Sequence, residues 1–169
     1  MIEMHVSSIL LEPQTRNPII MLRDTAERRA LVIWIGTTEA QAIIHALDNI
    51  TTPRPTTHDL FANTLERLGV TVNSVVINRM EEQTFFAVLN VTTRDGKQLE
   101  IDARPSDAIA IGLRMSSPVF VSEEVMISSA MPINQAEEEK ERKDFKDFIR
   151  DLKPSDFLRQ SQERDGEPN

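Results

Sequence analysis

The sequence predicts an α+β protein built on a strand-rich mixed sheet. Seven stretches carry strand patterning, against three with helical spacing ahead of residue 132. Asp95-Gly96 lies between two strand-like runs, the strongest short-range signal of a hairpin. An Arg-Pro phrase with a small hydroxyl residue and an aspartate occurs twice, in PRPTTHDL and ARPSDAIA. Each copy precedes an apolar helical pattern and then a β-rich stretch, which predicts an internally duplicated strand–helix–strand unit.

The elements follow in order. Ile2 to Leu11 alternates apolar residues before turning wholly apolar, and Pro18–Asp24 reads as a second strand. Ala30–Gly36 is apolar throughout, as for a strand covered on both faces. From Thr37 to Ile50 the period changes. Ala40, Ile43, Ile44 and Leu47 fall at i, i+3, i+4 and i+7, an amphipathic helix with Glu39 in its first turn. Pro53 and Pro55 break the chain. A second helix is predicted over Thr57–Leu68, with Leu60, Phe61, Leu65 and Leu68 inward and Gly69 ending it. Val70–Asn78 and Thr84–Thr92 are strands, the Asp95-Gly96 turn leads into Lys97–Ile101, a third helix runs from Pro105 to Met115, and Pro118–Ser122 is a short strand.

Past Met131 the composition shifts. Residues 132–160 predict a charged helical extension, with Phe145, Phe148, Ile149 and Leu152 as one apolar stripe suited to docking on the body or on a neighbouring subunit. Residues 161–169 hold no apolar side chain and predict a disordered tail. The folded domain is expected over residues 1–131.

Composition narrows the function classes. The chain of 169 residues has no cysteine, which excludes disulfides, thiolate metal sites and a cysteine nucleophile. Neither a signal peptide nor an apolar run of membrane-spanning length is visible, so the expectation is a cytoplasmic protein with no membrane partner. The net charge is −8, and the first 136 residues hold sixteen acids against eleven bases. That balance argues against gripping nucleic acid by bulk electrostatics. Ten of those eleven bases are arginine, whose planar fork suits phosphate and carboxylate.

The doubled phrase has a scaffold reading and a chemical one. Proline pre-sets the first helical turn, Thr56, Thr57 and Ser106 can cap free amides, and Asp59 and Asp107 offset the dipole. Arg54 and Arg104 stand beside helix N-termini, where anions already gather. Each is either a phosphate clamp, aided by Ser106, or a brace for Asp59 or Asp107. His58 is the candidate for proton transfer near neutral pH. Of the other histidines, His5 lies on a strand and His45 late on a helix. Asp102 and Asp107 flank a strand-to-helix corner, and with Glu39 could share a hard cation such as Mg²⁺ or Mn²⁺. No motif for an organic cofactor is present.

The run IGTTEAQAIIHAL, PRPTTHDLFANTLERLG, QTFFAVLNV, DGKQLEIDARPSDAIAIGLR and PVFVSEEV, in that order, resembles the bifunctional nuclease domain family over about Met1 to Met131. The pattern from Phe145 through Leu152 and Pro154 to Asp156-Phe157 resembles the tail of many bacterial members. The one departure is Asn49-Ile50, where many members have a glycine after the helix. The resemblance implies an internally duplicated α+β domain, self-association into dimers or larger homo-oligomers, and cleavage of DNA and RNA. Its motif positions fall here on Glu39, Arg54, His58, Asp59, Asp102, Arg104, Ser106 and Asp107.

The sequence thus predicts a phosphodiesterase acting on DNA and RNA with little sequence specificity. His58, Asp59, Asp102 and Asp107 are the catalytic candidates. Arg54, Arg104 and Ser106 would bind phosphate, and Glu39, Asp102 and Asp107 a metal. The alternative is a non-catalytic oligomeric binding or regulatory module with a small-anion site. The acidic surface and the scarcity of stacking aromatics, one Trp and no Tyr, favour that alternative.

Overall fold

In a computed structural model of the protein, residues 1–26, 28–131, 143–144 and 146–147 are described. The order is β1 (Ile2–Leu11), β2 (Pro18–Asp24), β3 (Ala30–Trp34), α1 (Thr37–Leu47), α2 (Thr57–Arg67), β4 (Thr71–Glu81), β5 (Thr84–Thr92), β6 (Gln98–Ala103), α3 (Pro105–Arg114), β7 (Val119–Val121), α4 (Glu123–Ser129) and β8 (Ala130–Met131). The predicted extension and tail lie outside the described residues, apart from four helical positions at 143–144 and 146–147.

Among the described residues the strands form one mixed sheet in the order β6-β5-β4-β7-β1-β2-β3-β8. All pairings are antiparallel except β4 with β7. The chain therefore lays down two three-strand meanders, β1-β2-β3 and β4-β5-β6, each followed by a helix. In that alignment α3 corresponds to α1, whereas the two Arg-Pro phrases open α2 and α3. The strands that follow those phrases, β4 and β7, lie side by side and parallel.

The core gathers where α3 meets the sheet. Ala108, Ile109, Ala110 and Ile111 are buried, and Gly112 lets the helix close onto β4, because a Cβ there would sit 2.5 Å from Val75 Cγ2. Alternating Ala and Ile suits a helix covered by α1 and α2 on one side and by β4 and β5 on the other.

Several boundaries differ from the expectation for identifiable reasons. Strand β3 stops at Trp34, which is 58% exposed rather than covered. Helix α1 ends at Leu47 because Asn49 turns left-handed at φ 51°, the conformation a glycine would favour. Glu82 and Gln83, at φ 47° and 63°, make a two-residue hairpin that carries β4 on to Glu81. The predicted inward face of α2 needs the largest correction. Leu65 is buried, but Leu60, Phe61 and Leu68 are 59%, 42% and 63% exposed. Helix α2 touches α3 along a narrow stripe centred on Ala62 and Leu65, so its remaining apolar side chains face outward.

Candidate functional site

Three helix starts converge. Glu39 comes from the first turn of α1, His58 and Asp59 from that of α2, and Asp107 from that of α3. Carboxylates are favoured there by the helix dipoles, so a chain that brings three N-termini together also brings their acids together. Arg104, the N-cap of α3, supplies the opposing charge.

Asp107 is the hub. Arg104 donates from Nε to Asp107 Oδ2 at 2.6 Å and from Nη2 to Oδ1 at 3.1 Å. The same Nη2 donates to Glu39 Oε1 at 2.8 Å. His58 Nε2 lies 3.0 Å from Asp107 Oδ1. Burial pushes the Asp107 carboxyl up, but the Arg104 guanidinium and then His58 outweigh it and hold the acid below its ordinary value. Asp107 is therefore ionised at neutral pH and can only accept. Nε2 of His58 then carries the proton, which leaves Nδ1 as the basic nitrogen. The ring is mostly enclosed, with 13% of its side chain exposed. Asp107 first, and then Glu39, raise the pKa of Arg104 and keep it charged.

A second ion pair fixes the scaffold. Arg114, at the end of α3, donates from Nε to Asp59 Oδ1 at 2.6 Å and from Nη1 to the Ala42 and Ala110 carbonyls at 3.1 and 2.8 Å. One side chain thus ties α1, α2 and α3 together. Asp59 Oδ2 also accepts from the amide and the hydroxyl of Thr56, at 2.8 and 2.7 Å. Burial pushes Asp59 up, but Arg114 and Thr56 prevail and bring its pKa to about 2.

The predicted residues divide accordingly. His58, Asp107, Arg104 and Glu39 form one connected cluster. Asp59 points to Arg114 instead. Asp102 is exposed on β6 opposite Val88 and joins neither group. Arg54 is exposed at the entry to α2 and makes no ion pair with a described residue, whereas Arg104 is held by Asp107 and Glu39. Ser106 does not cap α3. It is buried, and its hydroxyl has no hydrogen-bond partner among the described residues.

A divalent cation does not fit the predicted ligand set. Glu39 and Asp107 already share the Arg104 guanidinium, Asp102 lies outside, and no three acidic or histidine side chains among the described residues converge on one point. Nor is any described helix long and apolar enough to cross a membrane.

Beside Arg104 opens a cleft of about 500 Å³. It lies between the β3–α1 and β6–α3 corners, under the β4–β5 turn, with Trp34, Gln83, Phe85 and Ser106 in its lining. Neither Trp34 nor Arg114 was singled out by sequence reasoning. An Arg ending a helix reads as an ordinary dipole partner, and a Trp ending an apolar run reads as core.

The residues of the cluster lie within a stretch that is similar to known proteins. Residues 20–134 match the bifunctional nuclease domain. An uncharacterized protein of Mycobacterium tuberculosis is 34% identical over 163 residues, covering 92% of this chain and 97% of its own. Bifunctional nuclease 1 of Oryza sativa subsp. japonica is 28% identical over 134 residues, 70% of this chain but 40% of the rice protein. Bifunctional nuclease 2 of Arabidopsis thaliana is 27% identical over 93 residues, 54% of this chain and 28% of the plant protein. The match covers more than half of the chain, and its strand-to-helix corners are the ones that build the cluster: this chain belongs to the bifunctional nuclease domain family.

Proposed function

We propose that the chain is a phosphodiesterase acting on DNA and RNA, with His58 as its proton-transfer group. The observation that carries this reading is the His58 Nε2 to Asp107 Oδ1 contact at 3.0 Å, with Arg104 holding the same carboxylate. Asp107 orients the imidazole and stabilises the imidazolium that forms. Nδ1 takes a proton from water as the water oxygen attacks phosphorus. The P–O bond to the leaving sugar oxygen breaks, and the imidazolium returns its proton, directly or through water, to that oxygen. Tolerance of both sugars calls for water as nucleophile, because a 2′-hydroxyl route cannot cut DNA. Arg104 is the cation nearest the dyad. Its side chain is 66% exposed, and Nη1 has no partner among the described residues. Glu39 and Asp107 limit its attraction for phosphate, which favours modest affinity.

A second reading, a non-catalytic module that self-associates, is favoured by those two carboxylates on Arg104 and by the exposed apolar side chains of α2. Highly purified protein incubated with circular DNA and with RNA separates the two. Wild type is expected to cut both, while His58→Ala and Asp107→Asn of matched stability lose activity by about a hundredfold or more. Parallel arms with Mg²⁺, Mn²⁺ and EDTA show whether a cation contributes. Equal cleavage by wild type and both variants removes the His58 mechanism, and no cleavage by wild type leaves the module reading.

A further inference from the structure

The cleft beside Arg104 has a composition unlike the rest of this acidic chain. No Asp or Glu lines it, and its one charged residue is Arg104. Its most exposed aromatic is Trp34, the last residue of β3, with 58% of its surface in solvent. A large aromatic left in water at the mouth of a cleft is informative, because such side chains contribute most when covered. Trp34 is also the only tryptophan of the chain. Phe85 adds a second ring to the lining, and Gln83 and Asn17 add amide groups that can both donate and accept. Ser106 completes it, 7% exposed and with no hydrogen-bond partner for its hydroxyl among the described residues. A hydroxyl that lines a cleft without a protein partner is suited to an oxygen of a ligand.

An aromatic face, amide groups that suit any base edge, and an Arg–Ser pair together match one nucleotide. We propose that this cleft takes one unstacked nucleobase of a single strand, with its ring on Trp34 and its phosphate on Arg104 and Ser106. The inference rests on the phosphodiesterase reading for its substrate and extends it. In a duplex the neighbouring base pairs cover the face that Trp34 would stack on, so the strand must be single and the base unstacked. Stacking and phosphate contacts carry little base information, which fits low sequence specificity. Arg104 belongs both to this cleft and to the cluster with His58, so a strand seated on Trp34 runs its phosphate backbone toward the dyad.

Because Trp34 is the only Trp and there is no Tyr, intrinsic emission at 295 nm excitation reports this site alone. The experiment titrates the full chain with a twelve-residue oligothymidylate, with thymidine monophosphate and with a twelve-base-pair duplex, and checks the strand for length on a gel afterwards. The oligothymidylate is expected to quench the emission saturably, with the duplex and the monophosphate quenching weakly or not at all. By fluorescence polarisation of a labelled strand, Trp34→Ala should bind about tenfold or more weakly, and Trp34→Phe should recover most of the loss. Ser106→Ala should weaken binding without changing the emission maximum. Unchanged emission on adding the strand overturns the proposal, as does Trp34→Ala binding like wild type. Equal affinity for the monophosphate and the strand also overturns it, since the cleft is then a free-nucleotide site. Binding as expected without any cleavage leaves the proposal standing and removes the phosphodiesterase reading. Cleavage that ignores Trp34→Ala does the reverse.

Discussion

Replacing Arg114 by Met tests how the three helices are held. The Arg114 side chain is 10% exposed and that of its Asp59 partner 32% exposed. Methionine keeps most of the side-chain volume but leaves Asp59 Oδ1 without its 2.6 Å partner. Oδ2 keeps the Thr56 amide and hydroxyl. Stranding a fully buried charge costs about 3–5 kcal/mol, and partial access of water to Asp59 brings this to about 2–3 kcal/mol. For a chain of this size that lowers Tm by about 4–12 °C. The dependence on pH is the sharper test. Asp59 has a folded pKa of about 2 against an ordinary 3.8. A depressed carboxyl contributes stability that is fully present above its unfolded value and is lost as pH falls through the folded one. In Arg114→Met the depression is largely gone, so the gap between wild type and variant should narrow from pH 4 to pH 2, by at most about 2 kcal/mol after allowance for screening. Asp24 and Asp107 are also depressed, but they are common to both proteins and cancel in the difference. Urea unfolding across that window, on wild type, Arg114→Met, Asp59→Asn and the double variant, gives both quantities. Additive single effects, or a gap that stays constant with pH, would refute the pairing as the source of α2 docking.

Gly112→Ala should destabilise by about 1–2 kcal/mol, because overpacking on Val75 outweighs the gain of about 1 kcal/mol in helix propensity; adding Val75→Ala should recover part of the loss in a urea melt. Gly36→Ala should leave Tm within about 2 °C, because the backbone there is extended and only the far end of Glu39 must move. It should tighten oligonucleotide binding, as Glu39→Gln should, by freeing Arg104 from one carboxylate. Leu60→Glu with Phe61→Glu should cost under about 1 kcal/mol and lower the mass seen by sedimentation, if these exposed positions join copies of the chain.

The parts of the fold that were legible are those where one local rule decides. Asp95-Gly96 made its turn, with Gly96 at φ 82°. Proline at the first position of α3 marked that start to the residue. What the pattern hid depended on contacts distant in sequence. Periodicity along α2 is strong, yet it says nothing of how wide a face the neighbour covers, and α3 covers only a narrow one. The Glu82-Gln83 turn lacks glycine or asparagine, so nothing local announced it. The site was half legible in the same sense. Charged residues at helix starts were visible one by one, but the 3.0 Å contact of His58 with Asp107 spans 49 positions and needed the fold. Trp34 was missed because an apolar run does not show which of its members emerges at the end of a strand.

The doubled Arg-Pro phrase illustrates the limit of reading like spelling as like role. In both copies the aspartate sits at the third helical position, and in both it is held ionised by an arginine. The arginines differ. Asp107 is gripped by the Arg104 of its own phrase, whereas Asp59 is gripped by Arg114 from the far end of α3, which leaves Arg54 in solvent. One phrase therefore closes on itself and presents a charged hub to His58, while the other anchors a helix. That asymmetry makes one copy a candidate for chemistry and the other a support that delivers His58 to it. Arg54→Ala should accordingly leave both stability and cleavage near wild type. Arg104→Ala should reduce cleavage and lower Tm only slightly, because a pair whose Arg side chain is 66% exposed contributes about 1 kcal/mol or less. Equal losses of cleavage from the two substitutions would show instead that both phrases act at one anion site.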